Sequence, residues 1–279
     1  MFSLSCILQS HSHELNENAF KLFMNDASLT QVMKVTKTQL EIAIKTDKKN
    51  VGSIEDFYPK AHLIASNFIM AMNIASLGHF TWLTGSQLYP TYQVKPKDKA
   101  QAIIFTNQKT YPSENRPITD AEVRQAAVIF GALLREKDQN IRKEYIKGIL
   151  HMGLSFQDIN FDKEAFGNFY RSFEYFITNK FLKIKKLNNE LKEFKKAILG
   201  LGLSDQFAQE FSDLYKLRSE QVMHAQREQV EITQDDVIKM KVFIDYCLHK
   251  YFTKIGNQGL MKNRMANHRL NPTVKSPGG

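Results

Sequence analysis

Residues 214–224 read Leu-Tyr-Lys-Leu-Arg-Ser-Glu-Gln-Val-Met-His, and their periodicity decides the fold of the C-terminal half. Working back from them, Phe207, Phe211, Leu214 and Arg218 recur at i, i+4, i+7 and i+11, one face of an α-helix. Ser204 and Asp205 follow Leu-Gly-Leu, where an N-cap and a first-turn acid belong. Arg218 therefore continues an apolar stripe. Desolvating a guanidinium is costly, so Arg218 needs an anionic partner or must line an interface or groove. One reading is a snorkelling arginine or an internal ion pair with Glu220 or Asp213. The other joins it to His224. An arginine is always charged and a histidine moves a proton near neutral pH, so the pair can hold a phosphate and do acid–base work without a metal. At roughly 100° per residue, His224 lies about 120° round an ideal helix from Arg218. The two converge only if the helix ends or bends near Met223, or if they face one cleft from different sides. Alternatively, His224 interacts with the last helix carbonyls.

The flanking segments are also helical. Thr119 with Glu122 makes a capping box, followed by Val123, Ala127, Phe130 and Leu134 on one face. A second helix covers Asn140–Met152. Phe166, Phe169, Tyr170, Phe173, Ile177 and Phe181 form an aromatic stripe at helical spacing, which reads as core. Thr233 caps a last long helix containing Val237, Met240, Phe243, Ile244, Cys247 and Tyr251. Past Gly256 the chain is polar and basic, which predicts a disordered tail over 256–279.

The N-terminal part is mixed. Phe2, Leu4, Cys6 and Leu8 alternate as in a half-buried strand, as do Leu40, Ile42 and Ile44. Residues 60–77 follow Pro59 and stop at Gly78, predicting a helix. Phe80–Leu83, Thr91–Val94 and Ala102–Phe105 are short strand candidates. The polar stretch 106–117, with Pro112 and Pro117, marks a junction. The expected class is thus α+β: a mixed α/β domain over 1–110, whose role the sequence does not disclose, and a helical domain over 119–255.

With 279 residues and 43% hydrophobic content, the chain is long enough to bury a sizeable core. Cys6 and Cys247 fit no disulfide or metal spacing and read as small apolar residues. The first residues lack a basic n-region, and no segment is long and apolar enough to span a bilayer. A cytoplasmic protein without a membrane partner is expected. The net charge of +9 suits a polyanion. Lysines crowd residues 180–196, where Lys180, Lys183, Lys185, Lys186, Lys192, Lys195 and Lys196 face only Glu190 and Glu193. His11 and His13 flank a serine at strand spacing, but no third metal ligand is evident and a loop pair is the simpler reading. His62 reads as a boundary histidine, and His79, His151, His249 and His268 have no sequence companions.

The Leu-Tyr-Lys-Leu-Arg phrasing with His224 after five residues resembles the HEPN domain family (Apea-like), whose ribonucleases carry Arg, four to six residues, then His on their second long helix. The resemblance covers about the last third of the chain, 163–253: an aromatic helix, a Lys-rich connection, the motif helix and a closing helix. It implies an up-and-down helical bundle that pairs as a homodimer, with the two motifs meeting across the seam. It also implies an endoribonuclease that needs neither metal nor cofactor, in a toxin or antiviral role with an antitoxin or regulator protein as partner. In that reading the catalytic residues are Arg218, which steadies the scissile phosphate, His224 as general acid or base, and Ser219 as an orienting hydroxyl. Lys183, Lys185, Lys186, Lys216 and Arg227 would track RNA phosphates. Many members place Asn where Ser219 stands, and some toxins place Tyr where Gln226 stands, which argues against that toxin subgroup. The family also holds non-nucleolytic members that dimerise or bind ligands.

Overall fold

The computed structural model describes residues 2–24, 30–46, 53–82, 107–108, 116–156, 159–184, 189–221 and 231–269. It opens with β1 (Phe2–Ser10) and β2 (His13–Glu14), then a 3-10 turn (Glu17–Phe20) running into the short α1 (Lys21–Met24). After β3 (Thr30–Val35) and β4 (Gln39–Thr46), the long α2 (Ile54–Ser76) leads to β5 (Phe80–Trp82). These strands make an antiparallel sheet in the order β3-β4-β1-β5. The alternation read in the sequence sets its register, with Leu4 opposite Ile44, Cys6 opposite Ile42 and Leu8 opposite Leu40. Leu8, Leu40, Ile42 and Ile44 are buried, as one apolar face of such a sheet must be.

Helix α2 begins earlier than expected and carries Pro59 inside it. Ser53 explains the start: its hydroxyl accepts from the Asp56 N–H at 3.2 Å, and Glu55 and Asp56 add first-turn charge. A proline near a helix start removes few backbone bonds, so the capped turn tolerates it. Leu77 ends the helix in the left-handed region at φ 51°. Asn73, fully buried on α2, joins helix to sheet. Its amide donates to the carbonyls of Ile69 at 3.0 Å and Phe80 at 2.9 Å, and its Oδ1 accepts the Phe80 N–H at 3.1 Å. The side chain thus serves both backbone groups of Phe80 as a neighbouring strand would.

β6 (Asn107–Gln108) and β7 (Arg116–Pro117) precede α3 (Asp120–Leu134), which starts at the expected capping box of Thr119 and Glu122. α4 (Asn140–Met152) has the predicted bounds. β8 (Leu154–Phe156) pairs with β6 and with β9 (Ile159–Asn160), so the segment read as a junction partly joins small ladders. The strands expected at Thr91–Val94 and Ala102–Phe105 lie outside the described residues. α5 (Asp162–Tyr175) carries the aromatic stripe and widens into a π-helix (Phe176–Leu182), closed by Lys183 at φ 56°. α6 (Glu190–Gly200) and α7 (Asp205–Gln221) follow. α8 (Gln234–Arg269) packs on α2, α3, α5 and α7. It starts at Thr233, whose hydroxyl accepts the Asp236 N–H at 3.3 Å. The sequence reading ends this helix at Gly256 and expects disorder beyond, but the helix runs on to Arg269. Leu, Met, Lys, Arg and Ala are good helix formers and no proline interrupts 257–269, so Gly256 and Gly259 do not stop it.

The class is α+β, with a small antiparallel sheet followed by a helical region. One cluster of buried side chains runs from Leu8 to Phe252. Within it, the Phe173 ring lies 5.4 Å from Phe194, 4.8 Å from Phe211 and 5.5 Å from Phe243. Among the described residues, no helix is long and apolar enough to cross a membrane. Cys6 and Cys247 are free thiols, and burial pushes the Cys6 thiol up to about 12.

Two substitutions test the packing. At Gly148 an added Cβ would stand 2.7 Å from the buried Phe169 ring, whereas at Gly131 it meets nothing closer than the Arg135 guanidinium at 3.8 Å. Gly148→Ala is expected to destabilise by about 1–3 kcal/mol through overpacking, and Gly131→Ala to stabilise by about 0.5–1 kcal/mol, in chemical denaturation. Equal effects would refute the close α4–α5 approach.

A second test concerns acid. His13 is buried, its Nδ1 lies 2.7 Å from the Ser12 hydroxyl, and burial, then Arg116, lowers its pKa to about 4. Between about 6.5 and about 4 the unfolded chain binds a proton that the folded one refuses. The stability conferred by neutral His13 is therefore complete above that window and is lost as pH falls through it, on the order of 2–3 kcal/mol. His13→Asn should flatten part of that slope in unfolding measured across the window; an unchanged slope would show that His13 does not cause it.

Candidate functional site

The C-terminal half of α7 is positioned by its apolar stripe. Ser204 caps the helix, accepting the Phe207 N–H at 3.2 Å. Phe207 stacks on Phe243 of α8 at 4.4 Å, and Phe211 lies 5.3 Å from the same ring. Leu214 is buried beyond them. One turn on, Arg218 emerges with a side chain 21% exposed. Its guanidinium carbon lies 5.2 Å from the centre of the Tyr170 ring, a cation–π geometry.

Among the described residues, the acid that faces Arg218 is not Asp213. It is Glu190, the first residue of α6, at 3.8 Å from Nη1. Asp213 is exposed, and the Glu220 side chain lies outside the described residues. Glu190 is reached because Asn189 caps α6 and directs its first turn toward α7. Its carboxylate accepts the Tyr170 hydroxyl and the Tyr215 hydroxyl, each at 3.3 Å. Burial, then the Glu190 charge, raises both tyrosine pKa values. The same two causes raise the Glu174 carboxyl on α5, opposed by Arg218 and Arg171. The result is a half-buried cluster of two carboxyls, two phenols and one guanidinium.

At 3.8 Å the Arg218–Glu190 contact is Coulombic and too long for a hydrogen bond. The guanidinium is anchored by the ring beneath it, with no hydrogen bond to another described residue. Ser219 donates its hydroxyl proton back to the Tyr215 carbonyl at 2.9 Å, so that proton is engaged in the helix. Lys216 is exposed on the same helix. Lys183 is exposed on the turn after the π-helix. His224, Arg227, Lys185 and Lys186 lie outside the described residues. Of the expected constellation, the structure thus places Arg218, Ser219 and Lys216 on one helix. The Lys-rich stretch is less uniformly solvent-facing than its composition indicates: Lys180 forms an ion pair with Glu136, and Lys195 donates to Gln209 at 3.0 Å.

Two arrangements of histidine escaped the sequence reading. His11 and His79 approach to 4.8 Å between ring centroids, at the turn after β1 and the entry to β5. Among the described residues, no group of three His, Cys, Asp or Glu is disposed to hold a metal. His151 on α4 meets Asn168 and, through it, Arg171 on α5. The available signal was polar: Glu164, Asn168 and Arg171 recur at i, i+4 and i+7 within an otherwise aromatic helix.

Compared with models of known families, with curated proteins and with solved structures, the chain matches none.

The role of Glu190 is open to measurement. Glu190→Gln is expected to bring the Glu174 pKa down, since one cause of its elevation is removed, and to change stability by only about 0–1 kcal/mol for a partly exposed pair. Carboxyl carbon titration by NMR reads the first effect and thermal unfolding the second. An unmoved Glu174 would mean that burial alone sets its proton affinity.

Proposed function

We propose that this chain is a HEPN-type, metal-independent endoribonuclease in which Arg218 holds the scissile phosphate and His224 moves protons. The observation that supports the reading is the state of Arg218. It is fixed over Tyr170 at the end of a buried stripe, yet makes no hydrogen bond to another described residue. A planar, permanently charged fork held in that way suits a phosphate, which it can meet through two parallel N–H bonds. The ribose 2′-hydroxyl attacks the neighbouring phosphorus, its proton passes to a base, and the leaving 5′-oxygen takes a proton. The products are a 2′,3′-cyclic phosphate and a 5′-hydroxyl. Arg218 counters the charge that develops on the phosphoryl oxygens. Ser219 positions the helix end. Lys183, Lys185, Lys186, Lys216 and Arg227 follow the flanking backbone. Two copies pair so that their motifs share one cleft, and an antitoxin or regulator protein restrains the pair in a toxin or antiviral role.

A second reading has its own observation. Glu190, hydrogen-bonded by two phenols, already supplies Arg218 with a counter-charge inside one chain. That favours a non-catalytic HEPN-like module that dimerises or binds RNA or another ligand.

The separating experiment uses purified full-length protein, mixed RNAs and a chelator. The first reading expects cyclic phosphate ends, with Arg218→Ala and His224→Ala each lowering cleavage by about a hundredfold or more. DNA of the same sequence should remain whole because it lacks the attacking hydroxyl. Intact RNA with wild-type protein that is a dimer would favour the second reading.

A further inference from the structure

Between α4 and α5 lies a cleft of about 430 Å³ lined by Lys147, His151, Lys163, Glu164, Gly167, Asn168 and Arg171. Its centre is a side chain that solvent does not reach: Asn168 is 2% exposed. One bond fixes the orientation of that amide. Arg171 donates Nη2–H to Asn168 Oδ1, and a guanidinium has no acceptor to offer, so the oxygen must face it. The amide nitrogen then faces His151 Nδ1 at 2.7 Å and can only donate. His151 Nδ1 is therefore the acceptor, and the imidazole carries its proton on Nε2. Burial, foremost, lowers the pKa of His151; Lys147 and Arg171 act in the same direction against Glu164 and Glu144.

Arg171 is fixed from a second side. Its Nε donates to Glu144 at 3.0 Å, and Glu144 also takes Lys147 Nζ at 2.9 Å. Its Nη1 remains over Gly167, where an added Cβ would stand 3.6 Å away. Thus Arg171 Nη1 and His151 Nε2, both donors, belong to one hydrogen-bonded frame centred on the buried Asn168, with His151 half-buried and Arg171 open to solvent. Lys163, exposed on the first turn of α5, adds a mobile charge at the rim. Three cations and an imidazole line the site, against Glu164 at the wall and Glu144 behind it. Fixed N–H donors around a cationic concavity suit a compact, multiply charged oxyanion.

We propose that this cleft binds the phosphate monoester of a small phosphorylated ligand through His151, Arg171 and Lys163, with Asn168 as the residue that positions the first two. A monoester carries about two negative charges and three acceptor oxygens near neutral pH, which matches two preset donors and a rim lysine. The volume admits a ligand larger than the phosphate itself. The site is separate from the α7 cluster and does not rest on the ribonuclease reading.

The test titrates the full chain with adenosine 5′-monophosphate, ribose 5-phosphate and inorganic phosphate, following affinity by calorimetry and His151 by NMR. At least one organic ester should bind saturably and raise the His151 pKa, because an anion beside the ring favours its charged form. Tighter binding of the nucleotide than of ribose 5-phosphate would identify a nucleotide site; the reverse would identify a sugar phosphate site. His151→Leu and Lys163→Glu should each weaken binding about tenfold or more, the loss of one charge-assisted contact. Lys163 is exposed, so its variant keeps the test alive if the other misfolds. Asn168→Asp should raise the His151 pKa in the free protein, since a carboxylate accepts from Nδ1–H where the amide donated. Absence of saturation with both esters, equal affinity for inorganic phosphate, or unaltered affinity in Lys163→Glu would overturn the proposal.

Discussion

The fold depends on one buried ion pair. Lys241 and Asp245 stand one turn apart on α8, 2% and 0% exposed, with Nζ and Oδ2 2.5 Å apart. Such a pair is tolerable only when its remaining donors and acceptors are satisfied. Lys241 also donates to the Gly78 carbonyl, beyond the end of α2, and the Tyr145 hydroxyl of α4 donates to Asp245, both at 2.5 Å. Burial raises the Asp245 pKa, and Lys241 and Tyr145 oppose that rise. Removing either member would strand a charge in the core, which typically costs about 3–5 kcal/mol. Three elements distant in sequence are thereby locked: the α2–β5 turn, α4 and α8. Gly78 belongs to the same constraint, since a Cβ there would stand 2.6–2.7 Å from His13 and Ser12.

Buried asparagines perform the finer alignment. Asn73 satisfies both backbone groups of Phe80, and Asn168 holds a guanidinium on one side and an imidazole on the other. An amide presents a donor and an acceptor at a fixed angle and carries no charge to desolvate. It can therefore set the orientation of its partners at less cost than a carboxylate in the same place. The two arginines of the helical part differ in the same terms. Arg171 is gripped by hydrogen bonds at Nε and Nη2, whereas Arg218 is held by an aromatic face and a carboxylate at 3.8 Å.

Features set by local spacing were legible in the sequence. The β1–β4 alternation, the Thr119 capping box, the bounds of α4 and the Ser204 start of α7 each depend on residues a few positions apart. The start of α2 was hidden because Pro59 is the louder signal, while the Ser53 cap that overrides it is one hydroxyl. The need of Arg218 for an anionic partner followed from its place on an apolar stripe. Which acid supplies it did not, because Glu190 is brought there by the packing of α6 on α7, and helical spacing draws attention to acids on the same helix. The His151 site was hidden for the same reason: its parts lie on two helices that meet only after folding.

The π-helical segment Phe176–Leu182 has a phase consequence. Each turn there holds more residues than the α-helix it extends, so side chains beyond it are rotated relative to the stripe that precedes it. Phe173, Phe176 and Ile177 stay buried on the inner side, while Lys180 arrives facing the α3–α4 connection and meets Glu136 there. A continuous α-helix would carry Lys180 away from that bearing. The wide turn acts as a one-residue clutch between two registers, an aromatic one facing α8 and a charged one facing the α3–α4 connection, which a strict 3.6-residue period would not keep on a single rod.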